Sequence, residues 1–471
     1  MVEGRHETCD VVVIGAGASG LAAARAIADA GRRVVVLEAR DRIGGRIATA
    51  HVPDLGAPIE LGAEFVHGDP PELWAIADAA ALHVIDAVEE HVALDGGRLV
   101  ERSDFGGETG EVLDAMTAAA TRADAPDVSV AAFLAARFGG PEHADSRRMA
   151  TAYVEGFHAA DVDDAGIQAL ARAERSSSGN AAAYRIVDGY ARVPEWLHDG
   201  RGTRPPLDVR LGHVVQHVAW DENGVRVNAA VADGTREVRA ACAVVTLPLG
   251  VLATSVDGAA GSGPSGNGAA DGRGLVRFDP PLDAKRGAIT ELAMGPVARI
   301  VLRFRRRFWE DGETVPSLAP GDAGVGLAFV HTPELDVPVW WTLRAIRAPV
   351  LVAWSGASKA RSLLALEPGA RRACVLDALA TAFGVARSTI DAEFVAAYEH
   401  DWLRDPFARG AYSYARVGGR DAFAALARPL GALVFAGEAT VDDGDWGTVH
   451  GALRSGARAA REALARLGRV A

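Results

Sequence analysis

The chain opens with two short apolar runs on either side of an alanine-rich stretch. Residues 11–14 (VVVI) and residues 34–37 (VVVL) are uninterrupted aliphatic runs, which are typical of buried strands. Residues 21–28 (LAAARAIA) lie between them and predict a helix. The order strand, helix, strand indicates an α/β fold.

Farther along the chain the apolar spacing changes twice. From about residue 72 to 183, apolar residues recur every three to four positions, most clearly over 111–122 and 128–137, and predict a helical module. Residues 209–220 and 224–231 then predict strands paired across a polar turn. Later segments predict a second sheet over 325–356, a helix over 370–383 and a final helix from residue 448 onward.

A glycine-rich turn, GAGASG at residues 15–20, follows the first apolar run. In such a turn the first glycine makes the tight bend, the second lets the backbone approach a pyrophosphate, and the third lets the helix pack on the strand. The second run ends in Glu38, where a carboxylate can accept hydrogen bonds from a ribose hydroxyl. The alternative is a glycine-rich turn that binds no ligand. However, the strand before the turn, the helix after it and the acidic residue Glu38 all favour a dinucleotide site.

The residues that follow narrow the choice of nucleotide. Residues 38–46 (EARDRIGGR) add a second glycine pair and three arginines. This stretch resembles the N-terminal signature of the flavin amine oxidase family. The resemblance implies FAD, with Glu38 on the adenosine ribose and with Arg40, Gly45 and Arg46 near the pyrophosphate and flavin.

The end of the chain is similar to the closing flavin-binding motif of the same family. Residues 435–438 (FAGE) are typical of a strand end, and residues 447–452 (GTVHGA) open a helix. The resemblance implies that Glu438 contacts the ribityl chain and that the helix N-terminus at Thr448 and Val449 faces the flavin, where its dipole stabilises negative charge. Fingerprint and resemblance together predict cofactor contacts from Gly15, Gly17, Ala18, Ser19, Gly20, Glu38, Ala39, Arg40, Gly44, Gly45, Arg46, Gly62, Ala63, Glu64, Val215, Thr246, Pro248, Trp402, Gly437, Glu438, Thr448 and Val449.

The resemblance also implies the domain organisation. The predicted fold class is α/β, a Rossmann-like FAD-binding domain of the glutathione-reductase type with an interleaved α+β substrate domain. Within it, residues 253–274 have the composition of a flexible linker and predict a solvated insertion, with a lid as the alternative. The FAD-binding segments are 1–71, 184–284 and 398–471, and the substrate-domain segments are 72–183 (helical) and 285–397 (sheet and helices).

Four residues are predicted to act on the substrate side of the flavin. By position Tyr412 matches one aromatic residue of the family's substrate cage, and Thr448 stands where monoamine oxidases place the other. His67 resembles the histidine that faces substrate in polyamine oxidases, with a structural role as the alternative. Arg299 stands where the family usually has a lysine that holds a water at the flavin. Three interpretations of Arg299 are left open: it holds a water or an anionic flavin, its presence slows the reaction with oxygen, or it is a solvated arginine of a strand.

Two further features bear on the cofactor and on the neighbouring loop. Ala411 occupies the position at which monoamine oxidases carry the cysteine that binds flavin covalently, so we expect non-covalent FAD. Glu64 is interpreted either as a contact for a cation or as a hydrogen-bonding residue of the flavin loop. Between Arg46 and Arg98 the sequence contains no arginine, so the stretch lacks a clamp for a substrate carboxylate.

Composition excludes several classes of partner. The net charge of −13 argues against nucleic acid, which needs a basic face, and favours a cationic substrate. Three cysteines far apart in sequence predict neither a metal site nor a disulfide framework. Apolar runs stay below the length of about 18 residues that a membrane span needs, so we expect a cytoplasmic protein without a membrane partner.

These features predict an FAD-dependent amine oxidase. A hydride would pass from the amine α-carbon to flavin N5, the imine would hydrolyse to an aldehyde or ketone, and O2 would reoxidise the flavin to give H2O2. The alternatives are a flavin oxidase or desaturase of the same fold acting on amino acids or polyenes, and a flavoprotein whose FAD is structural or sensory. The identity of the amine and the oligomeric state are left open.

Overall fold

The computed structural model describes residues 6–87, 90–95, 98–101, 107–122, 125–176, 182–200, 204–257, 272–315 and 327–470. The strands are β1 (His6–Ile14), β2 (Val34–Leu37), β3 (Thr49–His51), β4 (Pro58–Glu60), β5 (Val66–His67), β6 (Val84–Asp86), β7 (His91–Asp95), β8 (Arg98–Glu101), β9 (Ala183–Ile186), β10 (Asp208–Arg210), β11 (Val214–Trp220), β12 (Val225–Val231), β13 (Gly234–Val245), β14 (Arg277–Asp279), β15 (Leu292–Gly295), β16 (Val297–Phe304), β17 (Phe329–His331), β18 (Val339–Thr342), β19 (Val350–Gly356), β20 (Phe394–Glu399), β21 (Tyr412–Ala415) and β22 (Leu433–Phe435).

Helices connect and cover these strands. They are α1 (Ala18–Asp29), α2 (Pro71–Ala80), α3 (Gly107–Ala120), α4 (Val130–Arg137), α5 (Ala144–Phe157), α6 (Ile167–Glu174), α7 (Arg192–Asp199), α8 (Leu249–Asp257), α9 (Arg286–Glu291), α10 (Ala357–Ala365), α11 (Pro368–Phe383), α12 (Arg387–Glu393), α13 (Ala422–Ala427) and α14 (Val449–Val470).

The first large sheet carries the glycine turn. Its strands follow the order β10-β2-β1-β13-β12-β11-β14, and β22 also pairs with β13. The inner strand β1 runs parallel to both β2 and β13. All four residues of β2 are buried, as the uninterrupted apolar run predicts for a strand covered on both faces. The turn that follows β1 therefore lies at the carboxyl edge of this sheet, where α/β folds bind ligands.

The second large sheet has the order β20-β16-β19-β18-β17-β7-β8. Alternate residues of β16 point to opposite faces. Ile300 and Leu302 pack with α10 and α11 in one apolar core, whereas Val301 packs with Trp341 and with Ile59 in another. The second face thus carries side chains toward the loop region that follows β4.

The structure differs from the sequence predictions in three places. Residues 72–183 are not wholly helical, because β6, β7 and β8 lie within them and β7 pairs with β17 of the second sheet. The predicted strand over 209–220 is divided into β10 and β11, because Gly212 adopts a left-handed φ of +65° and redirects the chain. The predicted linker at 253–274 begins too early, since α8 continues to Asp257. Residues 258–271 of that segment lie outside the described residues.

Within the part of the chain that the structure describes, no single helix combines the length and apolar character needed to cross a bilayer. Among the described helices, one bent pair, α11 and α12, reaches the required length and apolar composition when the two are taken together. Much of α11 is packed against the second sheet.

Candidate functional site

One cavity of about 830 Å³ brings together the glycine turn, the C-terminal motif and the face of the second sheet. This volume falls within the range of about 300–1,000 Å³ that is usual for sites of small molecules and cofactors. All of the residues that the sequence predicts as cofactor or substrate contacts line it, except Gly20. The cavity therefore joins segments that are more than 400 positions apart in sequence.

The glycines of the turn have separate physical roles. Gly15 has a φ of +106°, and a Cβ there would lie 2.6 Å from Thr246 Oγ1. A Cβ at Gly20 would lie 2.0 Å from the Gly15 carbonyl oxygen, so Gly20 sets the close packing of α1 on β1 instead of lining the cavity. A Cβ at Gly17 would have no atom within 4 Å, and Gly17 faces the cavity. Of the three glycines, Gly17 is therefore the one left bare toward a ligand.

The acidic residue at the end of β2 is held in place by backbone amides. Glu38 Oε2 accepts a hydrogen bond from Ala16 N at 2.7 Å, and Oε1 accepts one from Arg40 N at 2.9 Å. The Arg40 guanidinium donates to Asp405 Oδ2 at 2.8 Å. The neighbouring Arg42 does not line the cavity, and its guanidinium donates to backbone carbonyls of its own loop.

The first and last motifs of the sequence meet directly. Arg46 Nη1 donates to Glu438 Oε1 at 2.8 Å, and Glu438 Oε2 accepts hydrogen bonds from Ser413 Oγ at 2.5 Å and from Gly447 N at 3.0 Å. Thr448 caps α14, because its Oγ1 accepts a hydrogen bond from Gly451 N at 3.0 Å. The N-terminus of this helix of 22 residues thus opens onto the cavity with its positive dipole end.

These features fit an elongated dinucleotide. The bare backbone at Gly17 and the N-terminus of α1 provide a place for a pyrophosphate. Glu38 at the end of β2 suits a ribose, and α14 supplies a second positive helix end at the other motif. Ala411 lines the cavity beside Tyr412, and none of the described cysteines (Cys9, Cys242 and Cys374) does. The described wall therefore offers no thiol for a covalent link to a cofactor.

A group of aromatic residues, which we call the aromatic chamber, lines the cavity near Tyr412; it consists of His67, Tyr153, Phe157 and Tyr412. Tyr412 Oη donates to the Phe157 carbonyl at 2.8 Å. The Phe157 side chain stacks on Tyr153 with ring centroids 5.4 Å apart and meets His67 edge-on at 5.6 Å. Phe157 lines the cavity and is 52% exposed, so its apolar surface is available to a ligand.

His67 is uncharged in this setting. Burial, together with the nearby His450, lowers the pKa of His67 to about 4. A neutral imidazole can accept a hydrogen bond from a ligand N–H, whereas an imidazolium cannot. The structure therefore places a neutral imidazole, which can accept a hydrogen bond, in the wall of the chamber.

A carboxylate of α6, Glu174, also belongs to the cavity wall next to the chamber. Glu174, the last residue of α6, accepts a hydrogen bond from Tyr153 Oη at 3.1 Å and lies 3.0 Å from His158 Nε2. These partners are neutral donors or a histidine, unlike the arginine partners of Glu438 and Glu64. Sequence reasoning missed Glu174, because α6 carries no motif that marks it.

Arg299 is buried in an ion pair, and the alternative of a solvated strand arginine is wrong. The residue is 4% exposed, and its Nε donates to the Glu60 carbonyl at 2.7 Å. Its Nη2 donates to Glu64 Oε2 at 2.6 Å. The guanidinium also lies 5.3 Å from the ring centroid of Trp341. Both Arg299 and Glu64 line the cavity.

A second arginine, Arg185 of β9, reaches the same carboxylate. Its Nε donates to Glu64 Oε1 at 2.8 Å, and Trp341 Nε1 donates to Glu64 Oε2 at 3.0 Å. The absence of arginine between residues 46 and 98 therefore does not leave the region without one. The only sequence signal for Arg185 is a polar position in the short run AYRI of β9, which does not reveal a partner 121 positions away.

Comparison with known proteins gives a consistent result. A family model described as flavin containing amine oxidoreductase matches residues 18–464. The chain is 29% identical to polyamine oxidase 3 of Oryza sativa subsp. japonica, and the match covers 99% of this chain and 91% of that protein.

Solved structures share the fold. A structure of putrescine oxidase, the wild type bound to putrescine, superposes with a TM-score of 0.77 at 23% identity, covering 98% of this chain and 100% of that one. Cyclohexylamine oxidase from Brevibacterium oxydans IH-35A superposes with a TM-score of 0.74 at 24% identity, covering 96% and 99%.

Proposed function

Since the chain belongs to the family of flavin-containing amine oxidoreductases and is an FAD-dependent amine oxidase, we propose that it uses O2 as electron acceptor and oxidises a small aliphatic amine with a second amino group. Bound FAD would supply the two-electron oxidation of the amine to an imine. Water would hydrolyse the imine to an aldehyde or ketone and the released amine or ammonia, and O2 would take up the two electrons to give H2O2. The observation that carries the proposal is the single cavity that joins the glycine turn to the aromatic chamber.

The chamber prepares the amine for oxidation. An aromatic, desolvated wall disfavours a solvated ammonium, so the amine at the reacting carbon is bound in its neutral form. Tyr412 and Phe157 hold the carbon chain, and the neutral His67 accepts a hydrogen bond from the amine. Tyr412 keeps its position because its hydroxyl is fixed by the Phe157 carbonyl at 2.8 Å.

The position of Glu174 favours a substrate that carries a second amino group. A remote amine stays protonated in water, and a carboxylate with no arginine partner among the described residues attracts it. The similarity to a polyamine oxidase supports the same class of substrate. Glu64 and Glu438 do not compete for the cation, because Glu438 pairs with Arg46 and Glu64 pairs with two arginines, Arg185 and Arg299.

The cofactor is proposed to be held without a covalent bond. Ala411 lies at the cavity wall next to Tyr412 and has no nucleophile. Acid precipitation of the holoenzyme should therefore release all flavin into the supernatant. Flavin that remains in the pellet would contradict this part of the proposal.

The test of the function is an anaerobic titration of the purified holoenzyme with a panel of amines, monitored by the loss of the visible absorbance of oxidised flavin. The panel contains putrescine, spermidine, cyclohexylamine, benzylamine and two amino acids. We expect bleaching by the diamine and polyamine, and recovery with peroxide release when air is admitted. Bleaching by amino acids alone, or by no compound, would overturn the proposal, and reoxidation over hours would favour a structural FAD.

Glu174→Gln is the matched variant for substrate choice. It keeps the size and hydrogen bonding of the side chain and removes the charge. We expect KM for putrescine to rise about tenfold, as for the loss of one charge-assisted hydrogen bond of ~1.5 kcal/mol, with KM for cyclohexylamine unchanged. Equal effects on both amines would show that Glu174 does not recognise a second amino group.

A further inference from the structure

Glu64 is a single buried carboxylate shared by two buried guanidiniums. Arg185 Nε lies 2.8 Å from Oε1, and Arg299 Nη2 lies 2.6 Å from Oε2. All three side chains are at most 5% exposed. We call this group the Arg185–Glu64–Arg299 cluster.

The cluster carries a net positive charge. Both arginines keep their protons, since the guanidinium does not deprotonate in proteins. Burial would raise the pKa of the Glu64 carboxyl, but the neighbouring Arg299 and Arg185 charges hold it below its usual range. Two cations and one anion leave one positive charge in a place of low dielectric, where electrostatic interactions are strong.

The cluster lies at the end of the cavity where the C-terminal motif is. Ala63, the neighbour of Glu64, donates through its backbone N–H to the Arg46 carbonyl at 3.3 Å, and Arg46 binds Glu438. Arg46 also donates to the carbonyl of Ala411, which precedes Tyr412. Glu64 and Arg299 thus line the wall near the aromatic chamber, while Arg185 lies behind Glu64 and does not line the cavity.

We propose that Arg185 is a positioning residue that cancels the charge of Glu64 from behind, so that Arg299 presents an uncompensated positive charge to the flavin and raises its reduction potential. Negative charge that develops on a reduced flavin is stabilised by a nearby fixed cation. Without Arg185, Arg299 and Glu64 form a neutral pair and the charge toward the cavity disappears. The inference rests on the flavin binding of the family and not on the choice of amine or on O2.

The first measurement is the midpoint potential of the flavin in the holoenzyme against a reference dye. The second, independent measurement is the affinity of the holoenzyme for sulfite, which adds to oxidised flavin and leaves a negative charge on it. Measurements are made at pH 6, because burial raises the pKa of the nearby Glu60 to about 7 and its carboxyl is then mostly neutral. Neither readout needs an amine, so failure here is distinct from failure of the proposed function.

For Arg185→Gln we expect the sulfite dissociation constant to rise about tenfold, as for loss of one charge several ångströms away. The midpoint potential should fall by about 30 mV, the two-electron equivalent of a tenfold change. Arg185→Lys keeps the charge and should restore most of both values. Equal shifts in the glutamine and lysine variants would overturn the proposal.

Two further variants separate charge from structure. Glu64→Gln removes the anion and should raise the potential, the opposite sign from Arg185→Gln, and it carries the test if the arginine variant does not fold. Arg371→Gln is the matched control, because Arg371 is also 3% exposed and binds backbone carbonyls but does not line the cavity. A shift in the control as large as that of Arg185→Gln, or shifts of the same sign in the Arg185 and Glu64 variants, would show a merely structural role.

Discussion

The glycine turn and the aromatic chamber share one cavity, yet they are built in opposite ways. The turn comes from neighbours in sequence at residues 15–20, and its shape depends on backbone and on the absence of side chains. The chamber comes from β5, α5 and β21, and its shape depends on side chains from segments that are far apart along the chain. The shape of the glycine turn is therefore a local property of this chain, whereas the shape of the aromatic chamber is a property of its tertiary structure.

Substitutions at two glycines of the turn test most directly whether its shape depends on the absence of side chains. Gly20→Ala places a Cβ 2.0 Å from the Gly15 carbonyl oxygen. Because this overpacks the contact, we expect the free energy of unfolding to fall by about 3 kcal/mol and the protein to lose flavin. Gly17→Ala meets nothing within 4 Å, so we expect unchanged stability of the apoprotein and weakened flavin binding. Denaturant unfolding and the flavin-to-protein ratio measure the two effects.

Gly369→Ala is the control for this pair. A Cβ at Gly369 also meets nothing within 4 Å, but Gly369 lies in α11 and not at the cavity. The variant should keep full flavin content and equal or greater stability, because alanine favours a helix. A loss of flavin in Gly369→Ala, or equal destabilisation in Gly17→Ala and Gly20→Ala, would show that the two glycines do not have separate roles.

The chamber is tested by Phe157→Ala. Because Phe157 is 52% exposed, its removal should leave flavin content and stability near those of the wild type. The amine loses an apolar partner, so we expect KM to rise about tenfold, equivalent to ~1.4 kcal/mol, with a smaller change in kcat. Val395→Ala is the control, since Val395 is 46% exposed but does not line the cavity. A loss of flavin in Phe157→Ala would contradict the separation of the two regions.

The last prediction concerns pH, because its effect is absent at neutral pH and develops only on the acid side. The folded pKa of His67, about 4, lies below its ordinary value of 6.5. The unfolded chain therefore binds the His67 proton more tightly, and stability contributed by the neutral imidazole is present above pH 6.5 and decreases as the pH falls toward 4. His67→Gln should flatten the acid side of a plot of unfolding free energy against pH and leave values above about pH 7 parallel to the wild type. An unchanged acid slope would show that His67 is not buried in its neutral form.

The sequence predicted the parts that local chemistry determines. The strand, the glycine turn and Glu38 are predictable because each depends on residues close to one another in sequence. The start of the final helix near Thr448 is predictable from the C-terminal motif, and the structure adds that the Thr448 hydroxyl caps that helix. The strands β7 and β8 were missed because the sheet they join is completed by β17, which comes much later in the chain.

The cluster around Glu64 was beyond sequence reasoning for a physical reason. Arginine is common on surfaces, and neither Arg185 nor Arg299 differs in its local pattern from a solvated residue. Their burial depends on one carboxylate and on Trp341, which different segments bring together. Such a charge arrangement becomes visible only when the strands are placed in space.

The close contact between α1 and α14 has a consequence for how the protein matures in the cell. A Cβ at Gly456 would lie 2.2 Å from the Ser19 carbonyl oxygen, so the last helix of the chain rests directly on the first. A ribosome makes α14 long after α1, and the N-terminal part of a chain begins to fold during synthesis. The half of the site that α14 contributes is therefore missing until α14 has been made, and we expect the cofactor to be bound fully only after that point.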